Sequence, residues 1–139
     1  MSDTEGLAMM TWSDDMSIGN PEVDAQHRTL LALVNDTEAA VAAGAGHAEA
    51  AQALQRLCDY VVDHFATEEA LMDPDRYPEY DKHMTEHMEC TNLALDFLQA
   101  HSEGKEVSLP DFLAFASNWI REHILGTDQT LGRYLAQGA

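Results

Sequence analysis

Four stretches of this chain repeat inward-type residues at spacings of three and four, and none alternates with the two-residue period of a half-buried strand. That pattern restricts the fold to packed helices. The first stripe runs Val23, His27, Leu30, Val34, Thr37, Val41, and the second Ala50, Leu54, Leu57, Val61, His64, Glu68, Leu71. The third runs Tyr80, His83, His87, Cys90, Ala94, Phe97, His101, and the fourth Phe112, Ala116, Trp119, His123. Punctuation agrees with the periods. Asn20 and Pro21 read as an N-cap and first helical position, with Glu22 and Asp24 favourable in the first turn. Gly44 and Gly46 stop the first stripe, Pro74 and Pro78 exclude helix from the second connection, and Gly104 breaks the third stripe. Pro110 opens the fourth. Neighbours joined by short connections must run antiparallel, so the expected fold is all-α, an antiparallel up-down-up-down four-helix bundle. Its helices span about 20–43, 48–72, 80–101 and 110–135. Residues 1–18, with Met9, Met10 and Trp12, read as an N-terminal arm packed on the bundle, loose over its first few residues. Residues 1–139 read as one domain.

The fourth stripe slips after His123. Asp128 lies five positions on, and Leu131 and Leu135 follow it at three and four. A one-residue insertion such as a π-bulge would bring Asp128 onto the face of His123, with Gly126 permitting the distortion. The alternative is an undistorted row through Thr127, Thr130 and Tyr134, which leaves Asp128 off the core.

Twenty-five Asp and Glu against seven Lys and Arg give a formal charge of -18, which repels phosphate backbones and anionic lipid. Nucleic acid and membrane surfaces are therefore excluded as partners. No apolar run approaches the ~20 residues of a membrane helix, and the acidic start lacks a secretory signal's basic and apolar regions. The expected setting is cytoplasmic, and the expected state is a monomer. Cys58 and Cys90 are too few for a disulfide scaffold and fall inside helical patterns, where a free thiol packs as a small apolar group.

The informative residues are polar ones sitting where a core needs leucine. Every stripe carries at least one: His27 on the first, His64 and Glu68 on the second, His83 and His87 on the third, His123 and Asp128 on the fourth. The pairs His64/Glu68 and His83/His87 are four apart, so each projects from one helix face. In antiparallel neighbours His27 and His64 also agree in height, at ~17 residues from the shared connection and 1.5 Å per residue. Burying five imidazoles and two carboxylates without a cation would cost ~1–3 kcal/mol for each unsatisfied polar group and more for each charge. A domain stable by ~5–15 kcal/mol cannot carry that. Seven donors exceed the four of a structural zinc site, so two first-row ions bridged by carboxylate are the natural count. A bridging hydroxide would offset the remaining positive charge.

These residues resemble the bacterial hemerythrins over nearly the whole chain. The matching motifs are Trp12-Ser13 with Gly19, Asp24-Ala25-Gln26-His27, His64-Phe65-Ala66-Thr67-Glu68-Glu69, Tyr77-Pro78, His83-Met84-Thr85-Glu86-His87, and His123 with Asp128. The resemblance implies reversible O2 binding at a non-haem di-iron centre with a bridging oxo or hydroxo group, for storage, delivery or sensing, and no enzymatic activity. It implies that His83, His87 and His123 bind one iron, His27 and His64 the other, and that Glu68 and Asp128 bridge. It implies O2 as ligand at the five-coordinate iron, with an oxygen-consuming enzyme as partner on the delivery reading.

Such chemistry needs a dry pocket; Leu30, Leu31, Phe65, Trp119 and Ile124 are candidate wall residues. Glu69 and Glu86, adjacent to ligands, are expected to face solvent. Asp24 reads as a helix-start acid or as an acceptor for an imidazole N–H. His101 lies ~21 Å along its helix from His87, and neither it nor His47 receives a role. Two rivals remain. His83-x-x-Glu86-His87 matches the inverted zinc-peptidase motif with Glu86 as base, but leaves His27, His64, Glu68 and His123 unexplained. A carboxylate-rich di-iron oxidase uses Glu-x-x-His on two helices, and that spacing is absent here.

Overall fold

A computed structural model describes residues 10–44 and 46–137. Met9, and with it the looseness expected of the first few residues, lies outside them. Helix α1 spans Pro21–Ala42, α2 His47–Leu71, α3 Tyr80–Ser102, α4 Leu109–Leu125 and α5 Thr127–Ala136, preceded by a single 3-10 turn at Asp14–Met16. The starts follow local chemistry. Asn20 Oδ1 accepts the Val23 N–H at 3.0 Å ahead of Pro21, and Ser108 Oγ accepts the Asp111 N–H at 3.2 Å ahead of Pro110. The Glu49 carboxylate accepts the Gly46 N–H at the start of α2. The first and third helices end before Gly44 and Gly104, at φ 87° and 77°, the left-handed conformation that glycine adopts without steric cost.

The helices form an antiparallel four-helix bundle with a short N-terminal segment. His47 meets His101 while Glu68 meets His83, so α2 and α3 run in opposite directions. Glu38 with Ser117 and His27 with Asp128 set the same relation between α1 and the fourth rod. One core cluster, including Leu30, Leu54, Leu57, Phe65, Leu113 and Ile124, fills the bundle's length; a smaller one of Met72, Tyr77 and Leu131 closes one end. No described helix is long and apolar enough to cross a membrane.

From Met10 onward the arm is tied down. Met10 exchanges two hydrogen bonds of 2.8 Å with the Asn35 side chain, and the Arg28 guanidinium lies 4.4 Å from the Trp12 ring. Asp24 accepts from Ser17 Oγ at 2.6 Å and from the Ile18 N–H at 2.9 Å, so its carboxylate anchors the arm and not an imidazole.

The fourth rod departs from the single helix expected over about 110–135. Gly126, at φ -115° and ψ -82°, interrupts it and separates α4 from α5. The slip in the stripe is real, but a break takes it up and not a π-turn. Gly126 N–H still reaches Glu122 O at 2.9 Å, and Thr130 N–H reaches Gly126 O at 3.2 Å, so the new helix starts directly in a shifted phase. That phase turns Asp128 and Leu131, both fully buried, onto the core face.

Candidate metal centre

His27, His64, Glu68, His83, His87, His123 and Asp128 meet in one buried cluster, none more than 5% exposed. Two groups of donor atoms can each surround an ion: Glu68, His83, His87, His123 and Asp128 form one, and His27, His64, Glu68 and Asp128 the other. Glu68 and Asp128 belong to both. Glu68 Oε1 lies 3.1 Å from His83 Nε2 and 3.0 Å from His87 Nε2, while Oε2 lies 3.1 Å from His27 Nε2 and 2.9 Å from His64 Nε2. Asp128 divides likewise. Its Oδ1 faces His83 at 3.2 Å and His123 at 3.1 Å, and its Oδ2 faces His27 at 3.0 Å.

The outer edges of three rings decide what the inner edges can do. His64 Nδ1 donates to Gln26 Oε1 at 2.8 Å, and Gln26 in turn donates through Nε2 to Thr67 Oγ1 at 3.0 Å. His87 Nδ1 donates to Glu69 Oε2, and His123 Nδ1 to Glu86 Oε1, each at 2.9 Å. A neutral imidazole that donates from Nδ1 has a bare Nε2. Bare nitrogens therefore face carboxylate oxygens at hydrogen-bond distance, and His87 Nε2 sits 3.1 Å from His123 Nε2. Both Asp128 oxygens are buried without a hydrogen bond. Lone pairs gathered in this way repel unless cations lie between them, and the donor set of imidazole and carboxylate suits a pair of first-row ions.

Protons are the substitute in the metal-free chain. Burial works against a charged His27, but the Asp128 and Glu68 carboxylates outweigh it and raise its pKa from 6.5 to about 9. His83 and His123 are raised by the same contest between burial and these acids. Burial favours the neutral forms of Glu68 and Asp128, yet the imidazoles around them prevail: Glu68 falls well below the carboxylate range and Asp128 to about 2.

Glu69 and Glu86 correct the expectation that they face solvent. A residue next to a ligand in sequence is turned by about 100° around its helix, which in a bundle aims it at a neighbouring helix. Glu69 of α2 thus reaches His87 of α3, and Glu86 of α3 reaches His123 of α4. Glu86 also accepts from Thr127 Oγ1 at 2.7 Å and pairs with Lys82 at 2.8 Å. The His123 imidazole above all, against some burial, holds its carboxyl far below the ordinary range. The Glu86 carboxylate therefore lies on the outer edge of His123, away from where a peptidase base would work.

A cavity of about 10 Å³ adjoins the cluster, lined by Leu30, Val61, Phe65, Trp119, Ile120 and Ile124 beside the ligand-type residues. Of the expected wall, Leu31 belongs to the core elsewhere; Val61 and Ile120 take part unforeseen, although each lies one turn before a cluster histidine. Phe65 stacks on His87 at 3.8 Å and Trp119 on His123 at 4.6 Å. His47 and His101 stack on each other at 4.0 Å, outside the cluster.

Comparison with known proteins agrees with this geometry. The profile of the family described as "Hemerythrin HHE cation binding domain" matches residues 19–135. A bacteriohemerythrin of Methylococcus capsulatus is 29% identical over 131 residues, covering 94% of this chain and 99% of that one. A hemerythrin-like protein of Naegleria gruberi is 30% identical over 117 residues, covering 84% and 86%. A crystal structure of wild-type hemerythrin superposes with a TM-score of 0.84 at 29% identity, covering 91% of this chain and 97% of the other.

Proposed function

The chain belongs to the hemerythrin family, and from that membership we propose that its buried cluster holds two iron ions and binds O2 reversibly, for storage, delivery to an oxygen-consuming enzyme, or sensing. In this reading His83, His87 and His123 would hold one iron, His27 and His64 the other, and Glu68 and Asp128 would serve both, with an oxo or hydroxo group as the remaining expected ligand. The observation that carries it is the division of each carboxylate, one oxygen towards each histidine set. When bound, a ferrous pair supplies the two electrons that O2 needs and recovers them on release.

The chain's own residues do the rest. Gln26, Glu69 and Glu86 fix the tautomer of three rings so that Nε2 points inward. Phe65 and Trp119 hold ring planes by stacking, and with Leu30, Val61, Ile120 and Ile124 they exclude water from the adjoining cavity. The inverted-peptidase alternative loses support, because Glu86 is engaged by His123, Thr127 and Lys82.

Anaerobic reduction of iron-loaded protein followed by air tests the reading. A visible charge-transfer band should appear and then vanish on degassing. Irreversible oxidation on first exposure, or one zinc per chain with peptide hydrolysis, would overturn it.

A further inference from the structure

The two halves of the cluster differ behind their rings as well as in the number of rings. On the three-histidine side, His87 and His123 each donate Nδ1–H to a carboxylate, Glu69 and Glu86, at 2.9 Å. On the two-histidine side, His64 donates to the neutral amide oxygen of Gln26. Each side also holds one ring, His27 and His83, whose Nδ1 has no partner among the described residues, so the difference lies in Glu69 and Glu86 against Gln26. An anionic acceptor draws the N–H proton outward and makes the opposite nitrogen a stronger donor; a neutral amide does this less. Glu86 cannot swing away, since Thr127 Oγ1 and Lys82 Nζ hold its two oxygens. Glu69 has no Lys or Arg partner among the described residues, so its charge falls on His87 alone.

We propose that Glu69 and Glu86 are positioning residues that make the two metal positions unequal. The position facing His83, His87 and His123 fills first and holds its ion more tightly; the position facing His27 and His64 fills second and is the one that exchanges. The inference rests on the di-metal reading above. The larger number of histidines on one side favours the same order, so the outer carboxylates are tested by changing them and not by the order alone.

Metal-free protein titrated with Co2+, followed by calorimetry and by the ion's visible absorption, should take up two ions in two steps. Glu69→Gln and Glu86→Gln should each weaken the first step by about 10- to 100-fold and leave the second in place. Gln26→Glu should tighten the second step with the first unchanged, a gain that a damaged fold cannot imitate. Two steps that ignore all three substitutions, or that weaken together, would overturn the role of the outer acceptors while the di-metal reading stands. Fewer than two Co2+ per chain at saturation in the unsubstituted protein would overturn that reading itself.

Discussion

His87 is held on both edges and one face of its ring: Glu69 takes Nδ1–H, Glu68 and His123 crowd Nε2, and Phe65 stacks upon it. Such a ring has one orientation, so His87→Ala should empty one position without loosening both. On the proposed di-iron reading, elemental analysis should then find bound iron falling from two ions per chain towards one, and full occupancy would remove His87 from the proposed ligand set. The imidazoles also set opposite pH responses with and without metal. The metal-free fold gains from His27 whose folded pKa, about 9, lies above the ordinary 6.5. That contribution is complete below 6.5 and lost as pH rises through 9. Asp128, lowered from 3.8 to about 2, contributes above 3.8 and fades as pH falls towards 2. Ligation instead requires neutral rings. Thermal melts should show the metal-free Tm falling between pH 6.5 and 9, while the gain on adding metal grows across that window. A gain equal at both ends would contradict imidazole ligation.

Between elements, two glycines mark where backbone geometry sets the site. At Gly132, in α5, an added Cβ would lie 2.5 Å from Ile18 O and 2.8 Å from Ile18 Cβ, so the arm rests directly on the helix that carries Asp128. Backbone cannot yield as a flexible side chain can. Gly132→Ala should cost about 1–3 kcal/mol in urea unfolding, the range for overpacking. At Gly126 a Cβ would meet Glu122 O at 3.0 Å, a milder contact, and the loss on Gly126→Ala should be smaller. The reverse ranking would show that close approach of the arm is not what Gly132 provides. Asn20→Ala, which removes the accepted Val23 N–H, should cost about 1 kcal/mol by the same measurement.

Across the whole molecule, 25 acidic and seven basic residues in 139 leave an excess negative charge that opposes compaction. Screening shortens from ~30 Å at 0.01 M salt to ~10 Å at 0.1 M, so the metal-free Tm should rise over that range. A Tm that falls or stays flat would mean that local ion pairs outweigh the global repulsion. Two divalent ions in the core would offset part of this charge, so metal-loaded protein should respond less to salt.

Helical period and capping act within a few residues, which is why the sequence alone determined four amphipathic rods and the faces bearing His27, His64, Glu68, His83, His87 and His123. The shift after His123 was legible too, because Leu131 and Leu135 record the new phase; its form, a break at Gly126, was not, since a break and a π-turn leave the same pattern of apolar residues. Tertiary structure alone decided that Glu69, Glu86 and Gln26 back the imidazoles, that Asp24 serves the arm, and that Val61 and Ile120 complete the cavity. Those outcomes depend on the rotation and register of one helix against another, and no local repeat encodes which neighbour a long side chain will reach.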